Sequence, residues 1–258
     1  GRHLIRRLTK KDFRIIVATR SPYLHGYLKP LGNPGQIDLE KVVNLFDEEK
    51  LRILIKNSDV VINLVGILYE SKKQKFENIH AKFPDLLSKL CGELNIEKLV
   101  HISALGINET VSSQYMQSKL KGEKNIINNF DRSVILRPSV IFGPEDKFFN
   151  QFASLAEFFP VLPLIGGGLT YFQPIYVGDI AKSIVAVLEK EKINNNIYEL
   201  GGPQIFTFKE LIKILLKQIN KKRLLVPVPF LFAKFQAKIL QLFPKPLLTT
   251  DQVEMLKY

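Results

Sequence analysis

The 258-residue chain carries 37 Lys and Arg against 25 Asp and Glu, a formal net charge of +12, and 46% of its residues are apolar, enough for one large α/β domain or a nucleotide-binding domain with a smaller appendage. A single cysteine, Cys91, excludes an internal disulfide and a multi-cysteine metal site, and the four histidines show no His-x-x-x-His spacing, so no metal is expected. The charge comes from 28 Lys and 9 Arg scattered without a basic block interleaved with aromatics, which argues against nucleic acid and leaves an acidic surface as the partner it suits.

Residues 2–9 place Leu4, Ile5 and Leu8 on one side of a short amphipathic helix. Residues 13–19 form a β-branched run, read as a buried strand, with Arg20 at its end. Helix, strand and a polar residue make the second half of a βαβ nucleotide unit, in which a glycine-rich turn opens the helix and the second strand's end meets the ribose. Gly1 stands where the last glycine of that turn would be. With no Met, preceding strand or secretory signal pattern ahead of it, the expectation is that the first strand lies upstream of this sequence. Where NAD-binding units carry Asp or Glu, Arg20 suits the 2′-phosphate of NADP(H), and NAD(H) is the less favoured cofactor.

Residues 21–35, with three prolines and three glycines, read as a loop. A helical pattern is expected across 40–57, then a strand over 60–65 stopped by Gly66, then a helix over 74–94 kinked by Pro84. Residues 98–103 are the next strand, and Ser103 stands near the C-terminal end, where open α/β sheets bind ligands. A turn-rich segment leads into a helix carrying Tyr115 and Lys119, with Met116, Leu120 and Ile127 on its inward side. Another strand, 131–137, runs into Pro138-Ser139-Val140.

Beyond residue 145 the rhythm changes. Residues 147–159 make an aromatic-rich amphipathic helix, and Gly166-Gly167-Gly168, with no Lys-Ser/Thr after it, reads as a lid or turn. A short strand ends at Asp179, expected to cap a helix over 180–190; residues 196–200 are a last strand; and Thr207 with Glu210 forms a capping box for a helix over 208–219. The fold expected is α/β: a Rossmann-type doubly wound parallel sheet over 1–145, to which 173–200 returns, with a smaller, mainly helical region from 146–172 and 201–258. Within the apolar stretch 224–248, Lys234, Lys238, Gln241 and Lys245 share one helix face and Leu231, Phe235, Ile239 and Leu242 another. That pattern fits a helix lying on an anionic membrane surface, or one docked on its own domain.

Tyr115 and Lys119 share a helix face, where an ammonium would favour the ionised phenol and Ser103 could hold a substrate carbonyl. Spacing alone is weak evidence: with 8 Tyr and 28 Lys, about one Tyr-x-x-x-Lys is expected by accident, and Tyr69 with Lys73 is a second. The strand-borne serine twelve residues before Tyr115 separates the pair from its decoy, which lies in a charged run.

The order of elements resembles an extended or atypical short-chain dehydrogenase/reductase. Gly1-Arg2-His3-Leu4 is similar to the end of that family's glycine-rich segment, Asp38 and Leu39 to the acidic position near the adenine, and Asn63-Leu-Val65-Gly66 to the strand beside the adenine ribose. Ser103, Tyr115 and Lys119 match its catalytic triad, and Arg137-Pro138-Ser139, running on to Val140, the stretch beneath the nicotinamide. A narrower resemblance, carried by Val61–Gly66, Tyr115–Lys124, Phe142–Ser154, Gln173–Val177, Pro227–Ala233 and Thr250–Met255, is to the NADPH-binding accessory subunits of respiratory complex I and their bacterial relatives.

That resemblance implies a tightly held nucleotide serving structure, complex I subunits as partners, and a peripheral place on the inner face of a bacterial inner membrane or the matrix side of a mitochondrial one. The alternative is an active NADP-dependent reductase, epimerase or dehydratase with Tyr115 as general acid/base, its pKa lowered by Lys119, and Ser103 orienting the carbonyl. A polar cavity over Tyr115 would favour the enzyme. An aromatic plug, for which Phe148, Phe149 and Phe152 are candidates, would favour the scaffold.

Overall fold

The computed structural model describes residues 1–110, 112–191, 196–244 and 246–257. The first half runs α1 (Arg2–Thr9), β1 (Ile15–Thr19), β2 (Ile37–Lys41), α2 (Glu48–Lys56), β3 (Val60–Asn63), α3 (Phe83–Glu93), β4 (Lys98–Ile102), α4 (Gln114–Asn129) and β5 (Ser133–Pro138). The second half adds β6 (Ile141–Phe142), α5 (Phe148–Phe158), β7 (Val161–Ile165), β8 (Tyr171–Phe172), β9 (Ile175–Tyr176), α6 (Val177–Glu189), β10 (Ile197–Leu200), β11 (Phe206–Thr207), α7 (Phe208–Gln218), β12 (Leu224–Val228), α8 (Phe230–Leu240) and α9 (Thr250–Met255).

Four strands lie parallel in the order β10-β5-β4-β3. Side chains alternate across the sheet, so Leu99 and Ile135 face α3 and α4 while Val100, Val134 and Leu136 face α1 and α6. These two apolar layers are the doubly wound arrangement expected. β1 pairs only with β2, in parallel, as a separate two-stranded ribbon among the described residues. Even so, Ile15 of β1 and Ile62 of β3 pack on the same apolar cluster.

The helix expected across 40–57 is corrected in its first half. Ile37-Asp38-Leu39-Glu40-Lys41 alternates apolar and charged, the period of a strand, and it forms β2. The helix starts only after Asp47, whose carboxylate accepts the Lys50 amide, the N-cap that fixes where α2 begins. The helix expected over 74–94 runs unbroken from the Glu77–Lys82 turn, widened to π spacing, into α3, and Pro84, whose N–H is missing, stands directly after that wide turn. That wide turn and α4 touch backbone to backbone at Gly122, where a Cβ would lie 1.8 Å from the His80 carbonyl oxygen.

In the second half, Ala156, Leu162, Leu164, Phe208 and Ile212 make a core of their own, with Phe148, Phe152 and Phe172 against it. The Thr207/Glu210 capping box forms in both directions. Asp179, expected as a cap, sits one turn inside α6 and pairs with Lys182, because the helix begins at Val177. Several elements had no sequence counterpart, among them β7, β12, which pairs with it, and α9, opened by a Thr249/Gln252 capping box.

α8 rests on the fold through Ala233 and Ala237, both fully buried. Its large apolar residues point outward: Leu231 is 77% exposed, Phe235 67% and Leu242 81%, with Phe232, Ile239 and Phe243 beside them. Of the basic flank, Lys234 pairs with Glu254, and Lys245 lies outside the described residues. No helix is long and apolar enough to cross a membrane among the described residues.

Candidate functional site

The strand ends of the four-stranded sheet are organised by α4. Ser113 opens the helix by accepting the Met116 amide, and Tyr115, Lys119 and Glu123, four residues apart, all face inward and are buried. Lys119 donates its ammonium to the carbonyl of Ile102 at 3.0 Å, reaching the end of β4. A Cβ on Gly66 would come within 3.6 Å of the Lys119 nitrogen, so the backbone after β3 passes directly beside it. Glu123 forms a bidentate pair with Arg137 of β5, 2.6 Å at its closest, and Arg137 also reaches Glu199. This pair, unforeseen in the sequence, fastens the helix to the strand that ends at Pro138.

Two histidines lie beneath. His80 accepts the Ile67 amide on Nε2 and therefore donates from Nδ1 to Ser118, whose hydroxyl donates to the Tyr115 carbonyl. His101 accepts the Asn63 amide on Nδ1, which leaves a buried Nε2–H without a partner among the described residues. Burial, and then the Lys119 ammonium, hold both imidazoles neutral: His80 is lowered to about 3 and His101 well below its usual value. Lys119 is itself lowered to about 8 by burial, against the opposing pull of Glu123.

Tyr115 overturns one expectation. Its phenol is pushed up to about 12, by burial first and by the carboxylate of Asp251 second. The residue is 7% exposed and packs with Phe76, Ile107 and Met116, with Met255 of α9 against the same cluster. Phe76 and His80 stack at 5.3 Å, and both meet the Tyr115 ring edge-on. The Lys119 ammonium, hydrogen-bonded to the Ile102 carbonyl, is not among the causes acting on the phenol. The aromatic cover is also different: Phe148 and Phe152 belong to the α5–α7 core, Phe149 packs on Phe148 and Phe142, and Tyr115 is met by Phe76, with Met255 against the same cluster.

The structure brings Ser103, Tyr115, Lys119, Gly66 and Val65 to one place, the ends of β3 and β4 and the start of α4. Ser103 Oγ is buried with no partner among the described residues. Pro138, Ser139 and Val140 follow β5: Pro138 accepts the Leu105 amide, Ser139 donates its amide to Leu200, and Val140 accepts the Ile175 amide. Gly1 caps α1 through its carbonyl, which accepts the Ile5 amide. Arg20, exposed just after β1, has no hydrogen bond or ion pair to a described residue.

Three of the expected contacts are engaged by the protein itself. Asp38 is the second residue of β2, three residues short of its C-terminal end, where it pairs with Arg14 at 3.0 Å and lines a cleft of about 470 Å³ against α2. Leu39 is packed with Ile5 and Leu28. Asn63 is buried with both ends of its amide engaged, by Val65 and His101. At these strand ends it is instead Val43 and Leu64 that are exposed, apolar surface of the kind a flat base rests on. Period-2 alternation over 37–41 was the signal that moved the β2 end to Lys41 and past Asp38.

An unpartnered buried hydroxyl and a buried ammonium beside a bare glycine backbone are donors that suit a nicotinamide dinucleotide. Such a group, when bound, supplies hydride chemistry. No group of three or more His, Cys, Asp and Glu that could hold a metal occurs among the described residues.

Residues 1–201 match the NAD dependent epimerase/dehydratase family, and the chain belongs to it. Within that class it is similar to the mitochondrial NADH dehydrogenase (ubiquinone) 1 alpha subcomplex subunit 9 of Arabidopsis thaliana, 33% identical over 92% of this chain and 60% of the plant protein. The Mus musculus protein of the same name is 30% identical over 98% of this chain and 68% of its own length, so this chain spans roughly three-fifths to two-thirds of these relatives. Among solved structures, a UDP-glucuronic acid 4-epimerase from Bacillus cereus in complex with UDP-glucuronic acid and NAD superposes with a TM-score of 0.73 at 21% identity, covering 89% of this chain and 82% of the epimerase.

Proposed function

We propose that this chain is a nucleotide-binding accessory subunit of a respiratory NADH:quinone oxidoreductase, in which the dinucleotide steadies the fold and its docking to the complex without being turned over. The observation that carries this reading is the state of Tyr115, buried in one cluster with Phe76, Met255 against it, and its phenol raised to about 12, out of step with a group that must exchange protons near neutral pH. The likeness to alpha subcomplex subunit 9 proteins supports the partner.

In this reading Lys119 holds the nicotinamide ribose beside Gly66, and Ser103 hydrogen-bonds the nicotinamide end. Pro138, Ser139 and Val140 form the floor, and Arg20 takes the 2′-phosphate, which makes NADP(H) the cofactor in preference to NAD(H). The subunit lies peripherally on the inner face of a bacterial inner membrane, or on the matrix side of a mitochondrial one. The outward apolar stripe of α8 supports contact with an anionic bilayer. From residue 211 to residue 250 the sequence contains no Asp or Glu, and Lys and Arg supply all its charge. The unpartnered Ser103 hydroxyl also suits a substrate carbonyl, which keeps an extended-type reductase, epimerase or dehydratase as the second reading.

Membranes solubilised in mild detergent test the two together. Co-migration of the protein with NADH:quinone oxidoreductase activity, and release of NADPH on denaturation, are expected. A free pool that reduces or epimerises a sugar nucleotide, or reduces a quinone with NADPH, would overturn the accessory reading.

A further inference from the structure

The C-terminal helix α9 reaches the start of α4, 136 residues away in sequence, and its contacts there are specific. The Asp251 carboxylate accepts the Ser113 hydroxyl at 2.9 Å, the Gln114 amide at 2.7 Å and the Tyr115 amide at 3.1 Å, so it takes up two of the amides left over at that helix end. Glu254 accepts the Ser112 hydroxyl and pairs with Lys234 of α8. Met255 closes the apolar cluster around Tyr115.

The rest of the attachment of α9 is to α8 and its surroundings in the second half of the chain, away from the sheet. Val253 is its buried residue, in a cluster with Ala233 and Ala237 on which Ile165, Val228, Phe230 and Leu248 pack. The helix has six residues, too short to hold its form without these contacts. Loss of α9 would therefore remove little from the sheet's two apolar layers, to which none of its residues contributes. It would release the Gln114 and Tyr115 amides and uncover Tyr115 together.

We propose that α9 is a latch on the Tyr115 site: docked through Asp251 and Met255 it closes the tyrosine off, and its release is the step that makes the phenol accessible. The latch goes beyond the accessory-subunit reading and holds whether or not the chain turns over a substrate. Asp251 acts here as a positioning residue for α4, and Met255 as the cover.

Nitration by tetranitromethane at fixed pH, followed by peptide mapping of the full chain, tests it. Tyr23 and Tyr171, 80% and 72% exposed, are internal standards, and Cys91, fully buried, reports global unfolding through its reactivity with a disulfide reagent. In the native protein Tyr115 should nitrate far more slowly than either standard. The double variant Asp251→Ala/Met255→Ala should raise its rate about tenfold or more while Tyr23, Tyr171 and Cys91 keep theirs, the behaviour of a local opening. Thr249→Ala removes the cap of α9 without touching α4 and should move Tyr115 in the same direction by less. A Tyr115 rate unchanged in the folded double variant, or one that rises only in step with Cys91, overturns the latch. Should the double variant lose its fold, the same comparison on Thr249→Ala decides between those outcomes.

Discussion

Lowering the pH from 8 to 5 should cost the fold about 2 kcal/mol through His80 alone. The imidazole ring is 1% exposed, and burial, with the Lys119 ammonium second, lowers it from 6.5 to about 3 in the folded protein. In the unfolded chain it keeps a value of about 6.5, so at pH 5 nearly all unfolded molecules carry the extra proton and nearly all folded ones do not. The resulting bias, RT ln(1 + 10^1.5), is about 2 kcal/mol, roughly thirtyfold in the folding equilibrium. Because the folded-state value is depressed, this stability is present above about pH 6.5 and drains away as the pH falls towards about 3. His101, depressed by the same two causes, acts in the same direction. Urea unfolding at pH 8 and pH 5 measures it, with His80→Gln as the control: glutamine can still accept the Ile67 amide and donate to Ser118 but cannot titrate. The variant should lose about 2 kcal/mol less than the native protein between the two pH values. Equal losses would show that His80 is charged in the fold, or open to water, and would refute the reasoning.

Three further outcomes can be checked on purified protein. Glu123→Gln leaves the Arg137 guanidinium, which is 14% exposed, with the more exposed Glu199 as its remaining carboxylate, and should cost about 2–3 kcal/mol, a fall of several degrees in Tm; replacing both partners, Glu123→Leu with Arg137→Met, should recover most of it, and a double variant as unstable as the single would refute a pairing role. Gly122→Ala puts a methyl group 1.8 Å from the His80 carbonyl oxygen, a backbone atom that no rotamer change can move, and should destabilise by at least ~3 kcal/mol or prevent folding; near-native thermal melting would show that α4 and the wide turn do not touch. Arg20→Asp should weaken NADPH binding about ten- to a hundredfold by calorimetry while NADH binding changes little, and an equal loss for both nucleotides would remove Arg20 from the phosphate.

The parts of the fold that follow from a period were legible in the chain. Leu4, Ile5 and Leu8 announce α1, the β-branched runs announce β3, β4 and β5, and Thr207 with Glu210 announces α7. What stayed hidden depended on partners far away in sequence. β12 exists because β7 accepts it, and the 224–228 run reads equally as loop or helix start until that pairing is known. The inward face expected for α4, Met116, Leu120 and Ile127, fails at Ile127. It is half-exposed at 36%, and Ile126 is in the core instead. A lysine satisfied by a backbone carbonyl and a glutamate satisfied by an arginine on a neighbouring strand leave no mark in hydropathy.

The same point governs what Ser103, Tyr115 and Lys119 mean. Their spacing marks a place where a helix start and a strand end meet, and the structure does bring them to one place. Whether a phenol there exchanges protons is decided by what surrounds it, and those residues come from elsewhere: Phe76 and His80 from the wide turn before α3, Asp251 and Met255 from the C-terminus. A carboxylate at the first turn of α4 satisfies amides and favours the helix, yet it opposes ionisation of the tyrosine it helps to hold. Stabilising α4 and activating Tyr115 are thus competing demands on one position, and Asp251 resolves them in favour of the helix. An extended-type enzyme working through Tyr115 would need that carboxylate withdrawn or its charge offset. A nicotinamide cation bound near Lys119 would contribute to the offset, but only displacement of α9 removes both the charge and the methionine packed on the cluster that holds the ring.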